Sequence, residues 1–329
     1  MQEKPQPNLV PRLGMTHGDI NGISYEIILK AFADARMLTL LTPVLYGQSK
    51  VLSYYKKNFG IEDFNYSLTR DVRQAWAQKF NIVNIVDREL KIDPGQLTSL
   101  SAEMSVVSIK MAVEDLHNEY LDALVTAPAC LSVDRTQVEY MASVFGNPDM
   151  LRVLVSDFMR VGLVTDDLPL REALDKIDTA LVVRKLDTFS KALKTDFGIN
   201  APKIAVMGLN PHAGEAGGDK GSDIVLPAIA EAQKQGVFAF GPFSPSRLFV
   251  TGEWRKYDAV LAMTYEQGVT PFKLISVNGG AYYWAGLPAV CTAPLHGPSF
   301  DIANANQASP DALRKAVYLA MDIVSQRKA

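Results

Sequence analysis

The order of residue patterns along the chain predicts an α/β fold, with parallel-rich sheets covered by helices on both faces. Three observations carry this expectation. Short apolar runs alternate with segments of helical period almost from end to end, the pattern left by strands joined through crossover helices. Polar, histidine-bearing and Gly-rich segments follow directly on the apolar runs, as they do where strand ends line a ligand crevice. Finally, 48% of the 329 residues are apolar and 21% charged. That is a globular balance, on a chain long enough for two domains at roughly 100–200 residues each.

The elements follow in order. Residues 11–15 read as the first strand, leading into a loop from Thr16 to Ile23. Ser24 can cap the next helix, because its hydroxyl accepts an orphan amide hydrogen bond, and apolar residues at helical spacing continue over 25–33. A strand at 41–46, a helix at 50–59 and a strand with its connection at 80–92 come next. Met104, Val107, Met111 and Leu116 are spaced as one helical face over 101–116. The strand at 121–126 stops at Ala127-Pro128. In the second half, strands are expected at 161–165, 203–209, 258–263 and 289–293. Helices are expected at 171–176, 185–195, 223–235 and 310–325. Pro227 falls near the first turn of the third of these and Gly236 at its stop, where each is tolerated.

Charge and composition exclude several classes of function. The 33 basic and 36 acidic side chains leave a formal net charge of −3, and no basic run suggests a nucleic-acid partner. No apolar stretch approaches the roughly 20 residues that span a bilayer. The opening segment Met1 to Pro7 has no apolar core, so no secretory leader is expected. Cys130 and Cys291 are too few for a disulfide framework. The expectation is a cytoplasmic protein that handles a small molecule.

The unusual residues concentrate after strands. His17 and Asp19 follow the first, Thr126-Ala127-Pro128 the strand at 121–126, and Asp166 and Asp167 the strand at 161–165. Asn210-Pro211-His212-Ala213-Gly214-Glu215, Tyr265-Glu266 and His296-Gly297 follow three more. Between Gly208 and Asp223 lie Gly214, Gly217, Gly218 and Gly221. Glycines let a backbone approach a ligand closely, and the segment runs into a helix N-terminus, which favours anions. Neither G-x-G-x-x-G nor a Walker A sequence is present.

Thr16-His17-Gly18-Asp19-Ile20-Asn21-Gly22-Ile23, Leu209 to Glu215, Gly241-Pro242-Phe243, Gln267-Gly268, Gly286-Leu287-Pro288 and His296-Gly297 with Asp301 form an ordered series. Taken together it resembles the 4-hydroxythreonine-4-phosphate dehydrogenase family of pyridoxal phosphate biosynthesis, over nearly the whole chain. The resemblance implies a homodimer with the two-domain α/β/α fold of isocitrate and isopropylmalate dehydrogenases. One domain is expected at 1–120 plus 275–329 and the other at 121–274. It further implies NAD-dependent oxidation of a phosphorylated hydroxy-amino acid, followed by decarboxylation. A divalent metal (magnesium, manganese or zinc) on three histidines would stabilise the alcohol oxygen. On the NAD side it points to Gly214, Glu215, His296, Gly297 and Asp301.

The chain departs from that pattern at the metal. His212 matches one histidine, Asp167 replaces the second, and Tyr265 stands at the third, beside Glu266. Asp167, His212 and Glu266 are therefore the candidate ligands, and Lys273, Asp167 and His212 the candidate catalytic groups. The phosphate-binding motif has no counterpart at 138–143. Tyr282 and Cys291 stand where the family has asparagine and arginine, and a thiol cannot copy a guanidinium fork on an anion. Two other readings follow from these losses: a member that binds a nucleotide or metabolite without turnover, and a dimer that keeps only the scaffold.

Overall fold

The computed structural model describes residues 10–213, 222–277 and 279–329. They form two compact units, Met1–Gly146 with Pro288–Val324, and Asn147–Leu287 with Ser325–Ala329. The chain begins in the first unit with β1 (Arg12–Thr16), α1 (Ser24–Phe32), α2 (Met37–Leu40), β2 (Thr42–Gly47) and α3 (Ser49–Asn58). It continues there through β3 (Ser67–Thr69), β4 (Asn81–Asn84), α4 (Ser99–His117), β5 (Ala123–Val125) and α5 (Leu131–Val144). The second unit opens with β6 (Leu151–Val155), β7 (Arg160–Leu163), α6 (Leu170–Lys176), α7 (Thr179–Thr195), β8 (Lys203–Met207) and α8 (Ser222–Lys234). It closes with β9 (Phe238–Phe243), α9 (Pro245–Val250), β10 (Ala259–Ala262), α10 (Tyr265–Ile275) and β11 (Ala281–Ala285). Finally β12 (Val290–Pro294) and α11 (Asp311–Lys328) complete the chain.

In the first unit the strands lie in the order β3-β4-β2-β1-β5-β12, every pair parallel. In the second they lie in the order β11-β6-β7-β10-β8-β9. There β7, β10, β8 and β9 run parallel, while β6 is antiparallel to both β7 and β11. The central parallel strands are apolar without alternation, as in Ala259-Val260-Leu261-Ala262, because both faces are buried. The α/β class predicted from the sequence is the class observed.

The structure adds elements that the sequence pattern did not indicate: α5, β6, β9, α9, β11 and α10, with the short α2 and β3. In α10, Gly268 and Pro271 lie inside the helix and lower its intrinsic propensity, so packing on the sheet decides its state. The units also divide at other points than 120 and 275. Residues 121–146 belong to the first because β5 pairs with β1 and β12. Residues 275–287 belong to the second because β11 pairs with β6.

Two residues that the sequence pattern grouped with the ligand loops are turned inward. His17 and Asp19 are both fully buried. The His17 ring donates through Nε2 to the Met104 carbonyl at 3.0 Å. Asp19 accepts from the Asn21 amide at 2.9 Å and from Ser101 Oγ at 3.0 Å. Together they fasten the loop after β1 onto α4. Burial disfavours the imidazolium and pushes the His17 pKa down from 6.5 to about 4, partly offset by the Met104 hydrogen bond.

In the window between those two values the unfolded chain holds a proton that the folded chain does not, so stability falls as pH falls. The linkage is on the order of 3 kcal/mol across the window. Thermal midpoints of the wild type and His17→Gln at pH 7 and pH 5 check this. The wild type should lose clearly more stability on acidification than the variant, and equal losses would contradict it.

Candidate functional site

Because β7, β10, β8 and β9 are parallel, their C-terminal ends share one edge of the second unit's sheet. Residues 164–168, 208–213 and 263–266 follow three of these strands and meet there, although they are far apart in sequence. Thr165 Oγ1 donates to the Met263 carbonyl at 2.8 Å. The Met263 amide donates to Gln267 Oε1 at 2.7 Å, and Gln267 Nε2 donates to the Gly208 carbonyl, also at 2.7 Å. A single glutamine in the first turn of α10 thus clamps the end of β10 to the end of β8. Gly268 beside it is required by space. A Cβ there would stand 2.7 Å from Leu163 Cδ2 and 2.9 Å from Ala262 Cβ, so α10 lies close on β7 and β10.

The candidate residues take definite places on this edge. Asp167 follows Asp166, whose φ of +48° is left-handed. His212 is exposed and also left-handed, at φ +62°. Non-glycine residues held in that region cost on the order of 1–3 kcal/mol and tend to cluster at functional sites. Tyr265 opens α10, and exposed Glu266 accepts from Thr270 Oγ1 at 2.9 Å on its own helix. Lys273 is exposed in the last turn of α10, about 12 Å along the axis from Tyr265 at 1.5 Å per residue.

Among the described residues, no group of three His, Cys, Asp or Glu side chains is placed to hold a metal ion. Asp167, His212 and Glu266 share the edge but do not form the expected three-donor site. One reason is visible at Glu266, whose carboxylate turns back along its own helix to Thr270.

The edge also carries a cation that the sequence pattern did not single out. Arg152 on β6 lies opposite Trp284 on β11 and opposite Leu163 at the end of β7. Its side chain is 5% exposed, with Nε 3.0 Å from Asp166 Oδ1. Its guanidinium carbon stands 5.1 Å from the Tyr282 ring centroid and 5.5 Å from that of Trp284, within cation–π range. Cross-strand and diagonal partners on an antiparallel pair share one face, which places all three side chains together.

Tyr282 reaches on to Tyr265, with the two hydroxyls 3.4 Å apart. A second buried cation, Lys185 on α7, donates to the Met150 carbonyl at 2.6 Å. Burial lowers its pKa below the usual lysine range, opposed by the carboxylates of Asp149 and Asp166. The sequence does hold a signal for Arg152: a charge inside the run Leu-Arg-Val-Leu-Val has to be paired if that run is a buried strand.

The remaining candidates lie in the first unit, where β1, β5 and β12 are parallel and end together. His296 and Gly297 follow β12, with His296 Nδ1 donating to the Gly297 carbonyl at 3.0 Å. Asp301 is exposed in a short 3-10 turn at Phe300–Ile302. The Ile23 amide donates to the Pro298 carbonyl at 3.0 Å. A Cβ on Gly22 would stand 2.6 Å from that same oxygen, so the loops after β1 and β12 pack tightly. Gly214 and Glu215, with Gly217, Gly218 and Gly221, lie outside the described residues.

The family model described as pyridoxal phosphate biosynthetic protein PdxA matches residues 39–320. A 4-hydroxythreonine-4-phosphate dehydrogenase from Bacteroides thetaiotaomicron is 36% identical, over 96% of this chain and 90% of its own. One from Sulfurihydrogenibium sp. is 31% identical, over 96% and 99%. The crystal structure of the Klebsiella pneumoniae 4-hydroxythreonine-4-phosphate dehydrogenase superposes with a TM-score of 0.79 at 27% identity, covering 95% of this chain and 99% of that one. Isocitrate dehydrogenase from Methylococcus capsulatus, 11% identical over 97% and 87% of the two chains, shares the fold at a TM-score of 0.54. On the family match and its 36% identical relative, the chain belongs to the PdxA family of pyridoxal phosphate biosynthetic proteins and is an enzyme of that family.

Proposed function

We propose that this enzyme oxidises the secondary alcohol of 4-phosphohydroxy-L-threonine, or of a related hydroxy acid, with NAD as hydride acceptor. The carbon-bound hydrogen leaves as hydride to NAD, the hydroxyl proton goes to a base, and the resulting β-keto acid loses carbon dioxide. The observation that carries this reading is the end-to-end likeness to dehydrogenases of that name, at 36% identity over 96% of the chain. It is supported by the edge at β7, β10 and β8, where His212 and Asp167 follow strands whose ends Gln267 and Thr165 tie together.

On this reading His212 accepts the alcohol's proton, and Asp167 orients the hydroxyl. Lys273 contributes positive charge toward the substrate's anionic end. NAD lies against His296, Gly297 and Asp301 in the first unit, with Gly214 and Glu215 assigned to the same cofactor. The enzyme works as a homodimer in the cytoplasm. The three-donor metal group expected from the resemblance is not formed by the described residues.

The changed positions Asp167, Tyr265, Tyr282 and Cys291 favour a second reading, in which NAD or a metabolite binds without turnover. NADH formation from 4-phosphohydroxy-L-threonine and NAD, beside an intact-motif family member as control, separates the two. The proposal expects NADH with the wild type and a fall in kcat/KM of about 100-fold in His212→Ala, within the range typical of a positioned general base. NAD binding with no NADH from this or related hydroxy acids, while the control turns over, would reject the reaction and leave the binding reading. A second expectation concerns the clamp. Gln267→Ala should lower kcat/KM about tenfold or more through misplacement of the two loops. It should also lower stability by about 1–3 kcal/mol through the orphaned Met263 amide and Gly208 carbonyl. Unchanged kinetics in a folded Gln267→Ala would contradict the role of the clamp.

A further inference from the structure

We propose that this site carries its cation within its own chain. Arg152 stands in place of a divalent metal, and the protein takes up no such metal at this edge. The inference starts from a mismatch of donors. Asp167, His212 and Glu266 do not gather as a ligand group, and Tyr265 offers a phenol that ligates well only once ionised.

Against this stands a positive charge that is built in. The Arg152 guanidinium has its Nε 3.0 Å from the Asp166 carboxylate, an ion-pair contact, and the rings of Tyr282 and Trp284 lie within cation–π range. Asp166 immediately precedes the candidate ligand Asp167. Tyr282 meets, hydroxyl to hydroxyl, the Tyr265 that stands at another expected ligand position. Arg152 thus touches the chain neighbour of the first of these positions and lies two contacts from the second. Lys185, bonded to the Met150 carbonyl and within the electrostatic influence of Asp149 and Asp166, adds a second buried cation. A divalent ion entering here would have to approach both cations and compete with Arg152 for Asp166. The guanidinium is always charged, and a planar fork suits fixed pairing with a carboxylate.

Arg152 acts in this account as a positioning residue. It pairs with Asp166, which precedes Asp167, and packs on Tyr282, whose hydroxyl meets that of Tyr265. The inference concerns the same edge as the proposed dehydrogenase site, but it rests on metal uptake rather than turnover. A chain with no dehydrogenase activity would leave it to be decided by the measurement below.

The test is metal binding by the purified full-length protein, using equilibrium dialysis against Mn²⁺ or Zn²⁺ with elemental analysis of the retained metal. The wild type should retain no stoichiometric metal. Arg152→Met removes the resident charge beside Asp166, so it should bind Mn²⁺ at least about tenfold more tightly than the wild type. Arg152→Lys keeps the charge and should stay free of metal, an outcome that a merely structural role for the arginine would not produce. Arg152→Gln serves as the neutral variant if the methionine form does not fold, as judged by circular dichroism. Stoichiometric metal in the wild type that is lost in Asp167→Ala or His212→Ala would overturn the proposal. A folded neutral variant that binds metal no better than the wild type would overturn the assignment of the charge to Arg152.

Discussion

Parallel pairing is the constraint on which the rest of this structure depends. When β7, β10 and β8 run in the same direction, each must deliver its following loop to the same edge. The segments that hold residues 166–167, 212 and 265–266 are thereby brought to one edge from positions far apart in the chain. Two side chains then turn proximity into a fixed arrangement. Thr165 joins the β7 end to the β10 end, and Gln267 joins the β10 end to the β8 end. Both act by satisfying backbone groups at strand termini, where the ladder can no longer do so. The same logic operates in the first unit, where the Ala127 amide donates to Thr16 Oγ1 and the Asp19 amide to the Pro128 carbonyl.

A dehydrogenase that activates an alcohol needs positive charge or hydrogen-bond donors near the oxygen. A metal ion and an arginine meet that need differently. A metal concentrates two charges at a point and demands several donors in fixed geometry. Arginine carries one diffuse charge and demands a carboxylate and stacking partners. This chain supplies the second set of partners in Asp166, Tyr282 and Trp284.

Much of this was legible in the sequence, for a physical reason. The parallel strands announce themselves as unbroken apolar runs, and the loops that follow them carry the chemistry, so Asp167, His212, Tyr265 and Glu266 could be assigned to strand ends before any coordinates. What could not be read was direction and partnership. His17 and Asp19 have the same position after a strand, yet they face inward and hold α4. Glu266 has the same chemistry as a metal ligand, yet it bonds to Thr270. The antiparallel strands β6 and β11 escaped because one carries a charge and the other three aromatic residues, patterns whose sense comes only from their mutual pairing. Arg152, Tyr282 and Trp284 belong together only once that register is known.

On the proposed function, substrate is held at the shared edge of β7, β10 and β8. Hydrogen–deuterium exchange of the full chain, with and without 4-phosphohydroxy-L-threonine and NAD together, tests it most directly. The account predicts added protection at 164–170, 208–213 and 263–268 in the second unit, and around 295–301 where NAD is assigned. Protection confined to other segments, or none under saturating ligand, would contradict it.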